Sequence, residues 1–128
     1  MISAEIRRYI ERAATAVLAS TDNGGQPHLV LGNICSEDEG DQLVFENWLC
    51  KKTMDNVREN PQVSVAIIAP EERIGYQFLG SVVNTVDVAM VGGYQPEEKP
   101  SGDLQVLTRL IVRVEKVVAF CEGLHVDR

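Results

Sequence analysis

One stretch decides the fold: Gln42-Leu-Val-Phe-Glu-Asn-Trp-Leu-Cys-Lys-Lys-Thr-Met-Asp-Asn-Val-Arg-Glu-Asn-Pro-Gln-Val-Ser-Val-Ala-Ile-Ile68. It predicts a strand over 42–47, a short loop, a helix over 53–60 and a second strand over 62–69. Thr53 is the expected N-cap, and Pro61 stops the helix because proline cannot continue one. The second strand is apolar almost throughout, so we expect it to be buried on both faces.

The start of the predicted helix carries Lys51, Lys52 and Thr53. A helix N-terminus offers unpaired backbone N–H groups and a partial positive charge, and both attract an anion. Two lysines at the same place add full positive charges. The pattern indicates a site for one phosphate, and the alternative interpretation is a solvated pair of lysines beside an ordinary N-cap.

Outside this stretch, short apolar runs alternate with turn signals. The other elements that we expect are a helix over 3–13, strands over 15–21, 27–34, 76–91 and 104–120, and a loop over 92–103. Ser3 is a plausible N-cap for the first helix, and Gly80 indicates a bulge or a bend in the long strand. The last strand is expected to be bent or partly helical at its start.

Six strands joined by hairpins, with helices only at the start and in the middle, predict a mainly β fold with minor α content. A closed antiparallel barrel is the expected architecture, because an open sheet this small would leave edges to protect. At 128 residues, the chain has the size of a single domain over 1–128. The strand–loop–helix–strand unit is the irregular part of that barrel, where function is most often found.

The charge balance excludes some classes of partner. A net charge of −7 argues against a sequence-independent nucleic-acid binder and against adhesion to anionic membranes. No apolar run approaches the roughly 20 residues that a membrane-spanning helix needs. The N-terminal residues are amphipathic and charged, unlike a secretory signal, so a cytoplasmic location is expected.

The cysteines and histidines do not form a metal-binding pattern. Cys35, Cys50 and Cys121 are odd in number and have no CxxC spacing, so we expect reduced thiols. Cys50 lies beside two lysines and is either a small loop residue or a reactive thiol. His28 and His125 are far apart in sequence, and no metal site is expected.

Four segments, in this order, resemble the pyridoxamine 5′-phosphate oxidase-like, FMN-binding split-barrel family. They are Ala-Val-Leu-Ala-Ser-Thr-Asp-Asn-Gly-Gly-Gln-Pro-His-Leu-Val (16–30), Gln-Leu-Val-Phe (42–45), Lys-Lys-Thr-Met-Asp-Asn-Val-Arg-Glu-Asn-Pro-Gln-Val-Ser-Val-Ala (51–66) and Tyr-Gln-Phe-Leu-Gly-Ser-Val (76–82). The resemblance covers residues 10–83 well and the last strand more loosely. Among the members of the family, the chain looks most like the small FMN-binding proteins.

The resemblance implies a six-stranded split β-barrel that forms a homodimer with FMN in the dimer groove. It places the FMN phosphate at the helix start, on Lys52 and Thr53 with Lys51 beside them, and puts Asn56 within reach of the phosphate or the ribityl chain. The residues that it places along the isoalloxazine ring are Glu46, Asn47, Trp48 and Leu49 on one strand and Asn33, Ile34 and Cys35 on another.

The resemblance implies an FMN-dependent oxidoreductase or electron carrier with an unknown small-molecule or redox-protein partner. No residue stands out as a catalytic acid or base. The full-length oxidases of the family hold their pyridoxal substrate with Arg and His near the C-terminus. No such Arg-rich motif is recognisable here, so oxidation of pyridoxamine phosphate is not expected. The bulky Trp48-Leu49-Cys50 segment keeps an alternative open: a non-enzymatic binding or sensing module that has lost FMN, or that binds a deazaflavin or haem.

Overall fold

The computed structural model of the chain describes residues 2–13, 15–36, 40–69, 71, 73–91 and 105–121. The elements are α1 (Ala4–Arg12), β1 (Ala16–Thr21), β2 (Pro27–Ser36), β3 (Gln42–Leu49), α2 (Lys51–Glu59), β4 (Gln62–Ala69), β5 (Ile74–Val91) and β6 (Gln105–Cys121). The loop predicted over 92–103 lies outside the described residues.

The six strands close into an antiparallel barrel in the order β1-β2-β3-β6-β5-β4, which confirms the predicted architecture. The predicted irregularity at Gly80 is confirmed too, because the β5–β6 register shifts between Leu79 and Gly80. A Cβ on Gly80 would lie 2.0 Å from the carbonyl oxygen of Arg113, so only glycine allows this close approach of two strands.

Alternate side chains of the strands fill the barrel with apolar residues such as Leu18, Phe45 and Phe78, all fully buried. Helix α1 packs its Tyr9 and Ile10 onto this core. The Tyr9 hydroxyl donates a hydrogen bond to the Ile74 carbonyl and accepts one from the backbone N–H of Ala69. The helix therefore closes over the junction of β4 and β5.

The expectation that β4 is buried on both faces is wrong. Its residues alternate between the barrel interior and the outside, and Ile68 on the outer face is 51% exposed. A strand in a barrel wall has one face inward, so a run of apolar residues here places some of them on the surface. The last strand shows no helical start, since it is extended from Gln105 onward.

The expected N-cap of α2 is also wrong. The helix begins at Lys51, and Cys50 is its N-cap. Thr53 is the third helical residue and is fully buried against the barrel. It therefore lies inside the helix and is not the N-cap. Ser3, by contrast, does cap α1, because its Oγ accepts a hydrogen bond from the N–H of Ile6 at 3.2 Å.

Candidate functional site

The start of α2 is positioned at the point where β3 ends. Leu49, the last residue of β3, is fully buried and fixes this end of the strand in the core. Cys50 then turns the chain into the helix, but its side chain caps no backbone N–H group. The first turn of the helix holds no acidic residue either. The helix end is therefore suited to an acceptor from outside the chain, such as a phosphate oxygen.

Both lysines at this helix start contact carboxylates. Lys52 Nζ donates to Asp22 Oδ2 at 3.2 Å, and Lys51 Nζ donates to Asp55 Oδ2 at 2.7 Å within the helix. Both lysines are exposed and both aspartates are partly exposed, so each ion pair contributes little to stability and can open. An incoming anion can therefore replace a carboxylate as the partner of either lysine.

Asp22 belongs to the turn between β1 and β2. Its Oδ1 accepts hydrogen bonds from the backbone N–H groups of Gly24 and Gln26, both at 2.9 Å, while Oδ2 faces Lys52. The pKa of Asp22 is lowered, first by the Gln26 N–H and then by Lys52. The turn thus presents an ionised carboxylate that holds Lys52 beside the helix start.

Two candidate side chains of α2 point into the molecule. Thr53 is fully buried, and its Oγ1 lies 3.8 Å from the sulfur of Cys50. Asn56 is 2% exposed, and its Nδ2 donates to Ser20 Oγ on β1 at 3.1 Å. Leu49 is also buried. A ligand on the surface can therefore contact the backbone of these three residues, but not their side chains, in this conformation.

A cleft of about 410 Å³ lies on the outer face of β2, β3, β6 and β5. Its lining residues are Asn33, Ile34, Cys35, Val44, Glu46, Val86, Arg109 and Ile111. The register places Asn33 opposite Glu46, Glu46 opposite Arg109, and Arg109 opposite Val86, so one row of residues crosses four strands. Arg109 Nε donates to Glu46 Oε2 at 2.5 Å, and this contact raises the pKa of the guanidinium.

The structure brings part of the predicted ring-binding set together in this cleft. Asn33, Ile34 and Glu46 line it, as does Cys35. Asn47 does not, because its Nδ2 donates to the Leu31 carbonyl and its Oδ1 accepts from the N–H of Trp48. Trp48 is 40% exposed and lies on β3 between the cleft and the helix start.

Sequence reasoning missed the far wall of the cleft, which Val86, Arg109 and Ile111 form. These residues lie on β5 and β6, and their place depends on a long-range register that no local pattern reveals. The signal that would have found them is the opposite charge of Glu46 and Arg109 on adjacent strands.

The cleft and the helix start are joined by a single strand. From Glu46 to Cys50, the backbone of β3 and its last turn span roughly 13 Å at about 3.3 Å per residue.

Within the described ranges, no group of three or more His, Cys, Asp or Glu side chains is placed to hold a metal ion. No described helix has the length and apolar character needed to cross a membrane.

Three solved structures are similar to this chain over nearly its whole length. HupZ of Group A Streptococcus is 20% identical, with a TM-score of 0.65, and the match covers 99% of this chain and 100% of HupZ. The heme storage protein HutZ from Vibrio cholerae is 18% identical, with a TM-score of 0.56 and 94% of each chain covered. An FMN-binding protein from Syntrophomonas wolfei is 10% identical, with a TM-score of 0.59, 93% of this chain covered and 84% of the other. At these identities the likeness shows a shared fold.

No curated protein sequence matches the chain. A family model described as pyridoxamine 5′-phosphate oxidase does match it, over residues 2–117. That match spans most of the chain and includes both the cleft and the start of α2. The closed six-stranded barrel agrees with it. The chain therefore belongs to the pyridoxamine 5′-phosphate oxidase-like split-barrel family.

Proposed function

We propose that this protein binds FMN and works as a flavin-dependent oxidoreductase or electron carrier. The isoalloxazine ring lies in the cleft of β2, β3, β5 and β6, and the phosphate lies at the start of α2. The observation that carries the proposal is that β3 connects the cleft to the start of α2. This helix start bears Lys51 and Lys52, and the side chain of Cys50 does not cap it.

The cleft suits a planar heteroaromatic ring. Its volume of about 410 Å³ lies within the range of roughly 300–1,000 Å³ that is usual for small-molecule sites. Val44, Val86 and Ile111 supply apolar walls for the faces of the ring. The amide of Asn33 has both donors and an acceptor for the pyrimidine edge of a flavin. The Glu46–Arg109 pair adds a charged rim.

The helix start suits the phosphate. Its N–H groups and dipole favour an anion, and each charge-assisted contact to a phosphate oxygen contributes about 1.5–3 kcal/mol. Lys52 supplies one such contact once it exchanges Asp22 for the phosphate. Thr53 takes part through its backbone N–H, since its hydroxyl is buried.

FMN, when bound, supplies one-electron and hydride-transfer chemistry. The side chains of the protein hold and orient it: Lys51 and Lys52 fix the phosphate end, and Asn33 fixes the ring edge. The apolar lining of the cleft excludes water from one side of the ring. The protein thus sets where the redox-active atoms lie and what can approach them.

We propose that the protein works as a homodimer, with the flavin in the groove between two copies. Two leucines on the outer face of β2 support this: Leu29 is 65% exposed and Leu31 is 60% exposed. Trp48 and Leu31 occupy neighbouring strands next to the cleft. An exposed apolar patch of this kind marks an interaction surface, and a second copy placed there would cover the open side of the cleft.

A direct test is the visible spectrum of the purified protein, followed by titration of the flavin-free protein with FMN while flavin fluorescence is recorded. We expect saturable binding at micromolar FMN, with one FMN per chain. A colourless protein that leaves FMN fluorescence unchanged at micromolar concentrations contradicts the proposal.

A second candidate is a non-enzymatic module that holds haem or a deazaflavin in the same cleft. Cys35 favours haem, since it lines the cleft and a cysteine thiolate is one of the side chains that can ligate haem iron. HutZ, which shares the fold, is a heme storage protein. The bulk of Trp48 beside the cleft is consistent with a ligand other than FMN. The absorption spectrum separates these cases because each chromophore absorbs at its own wavelengths.

A further inference from the structure

The sulfur of Cys50 lies between a base and a hydroxyl group. The His28 side chain, which extends from β2, places Nε2 at 3.7 Å from Cys50 Sγ. Thr53 Oγ1 approaches the sulfur from the helix at 3.8 Å. Thr53 is fully buried, and its hydroxyl forms a hydrogen bond with this sulfur. Two elements, β2 and α2, thus each bring a polar side chain to one thiol.

The three cysteines differ in solvent exposure, so their reactivities can be compared within one chain. Cys35 and Cys121 are exposed, whereas Cys50 is half-buried. If accessibility alone decided reactivity, the two exposed thiols would react first. Cys50, in contrast to what its lower exposure suggests, has the ring nitrogen Nε2 of His28 within hydrogen-bonding distance.

A cysteine beside a histidine is an arrangement that activates a nucleophile, because the imidazole can take the thiol proton as the sulfur attacks. We propose that Cys50 is a nucleophilic thiol activated by His28, that hydroperoxides oxidise it to a sulfenic acid, and that this oxidation closes the anion site at the start of α2.

With hydrogen peroxide as the oxidant, the products are the sulfenic acid of Cys50 and water. The sulfur attacks one peroxide oxygen, so that an S–O bond forms and the O–O bond breaks. The thiol proton passes to Nε2 of His28 and from there to the departing hydroxide, which leaves as water. The sulfur loses two electrons and the peroxide gains them, which gives the first, reversible step of cysteine oxidation.

The product has a consequence for the helix. Cys50 is an N-cap residue whose thiol caps no N–H group. A sulfenic acid adds an oxygen one bond beyond Sγ, at the same number of bonds from Cβ as the Oδ of an aspartate N-cap, and such an oxygen accepts hydrogen bonds from the first turn. The oxidised side chain therefore occupies the N–H groups that an incoming phosphate needs. This step rests on the proposed function, whereas the reactivity of Cys50 does not.

The reactivity is tested by adding hydrogen peroxide to the full chain in the presence of dimedone, which traps sulfenic acids, and by measuring label at each cysteine with peptide mass spectrometry. We expect Cys50 to label at least tenfold faster than Cys35 and Cys121. His28→Gln, which keeps a polar side chain but removes the base, is expected to abolish that advantage and leave the other two rates unchanged.

Two results would overturn the activated thiol: Cys50 labelling no faster than the exposed cysteines, or an unchanged rate in folded His28→Gln. The comparison among the three cysteines of the unmodified chain decides the question even if the variant does not fold.

The effect on the anion site is tested by FMN titration before and after peroxide treatment. We expect at least a fivefold loss of affinity that dithiothreitol reverses and that is absent in Cys50→Ala. Unchanged affinity after complete oxidation of Cys50 overturns the competition for the helix start. If the untreated protein does not bind FMN, the proposed function fails, and the dimedone labelling still decides whether Cys50 is activated.

Discussion

At the scale of single residues, Asp22 organises the helix start although it lies on a turn elsewhere in the sequence. Two backbone N–H groups fix one of its oxygens, and Lys52 binds the other. The carboxylate keeps Lys52 in place when no anion is bound. The same contact sets a threshold for ligands, because a phosphate has to replace a carboxylate that is already well placed.

Asp22 provides a prediction about pH. Its pKa is lowered in the folded protein, first by the Gln26 N–H and then by Lys52. A lowered pKa gives stabilisation that is present above the ordinary aspartate value of about 3.9 and is lost as pH falls through the folded pKa. In an NMR titration of the carboxyl groups, we expect Asp22 to titrate below its ordinary range. Lys52→Met should raise its midpoint without restoring the ordinary value, because the backbone hydrogen bonds remain.

The matched control for this titration is Arg58→Met on the same helix, which removes a positive charge that pairs with Asp55 instead. It should leave the Asp22 midpoint where it is. An Asp22 midpoint at the ordinary value in the unmodified protein would show that the turn does not hold an ionised carboxylate as described.

At the scale of elements, helix α2 has Cys50 as its N-cap residue, but the Cys50 side chain accepts no hydrogen bond from a backbone N–H group of the first turn. Serine at this position would place a hydroxyl within reach of the first-turn N–H groups. Since a serine N-cap is worth about 0.5–2 kcal/mol over alanine, we expect Cys50→Ser to have a free energy of unfolding higher than that of Cys50→Ala by at least about 0.5 kcal/mol. Urea unfolding of the two variants measures this difference directly. Equal stability would mean that another group already satisfies this helix end.

The element boundaries show what sequence reasoning can and cannot give. The two helices, the six strands and the bulge at Gly80 follow from periodicity and turn residues, which are local. The start of α2 does not, because the buried position of Leu49 extends β3 and thereby moves the N-cap from Thr53 to Cys50. Likewise, an apolar run cannot show whether the outer face of β4 is covered.

The candidate site divides along the same line. Lys51 and Lys52 could be found from sequence because two adjacent lysines beside a predicted helix are a local feature, although the helix begins two residues earlier than expected. Arg109 could not, because it reaches the cleft only through the register of β3 with β6. The inward orientation of Asn56 is also a tertiary result, set by its hydrogen bond to Ser20.

At the scale of the whole molecule, the barrel leaves two exposed leucines on β2 beside the cleft. If a second copy covers this face, a charge there should separate the copies, because burying an unpaired carboxylate is costly. We expect Leu31→Glu to be monomeric at concentrations where the unmodified protein is a dimer, and to bind FMN more weakly. Sedimentation equilibrium measures the association state.

Lys116→Glu is the control for that variant, since Lys116 is exposed on β6 and does not line the cleft. It should keep the association state of the unmodified protein. A dimeric Leu31→Glu, or an unmodified protein that is monomeric throughout, would remove this face of β2 from the proposed interface.

If the start of α2 holds the phosphate of FMN, the protein distinguishes FMN from riboflavin, which lacks the phosphate, and titration with the two flavins measures this difference. One lost charge-assisted contact of about 1.5–3 kcal/mol corresponds to roughly tenfold or more in affinity. We expect the unmodified protein to bind FMN at least tenfold more tightly than riboflavin. Lys52→Ala should weaken FMN binding at least tenfold and leave riboflavin binding unchanged, while Arg58→Ala should change neither. Equal affinities for FMN and riboflavin in the unmodified protein, or equal losses for both in Lys52→Ala, would show that the start of α2 does not hold the phosphate.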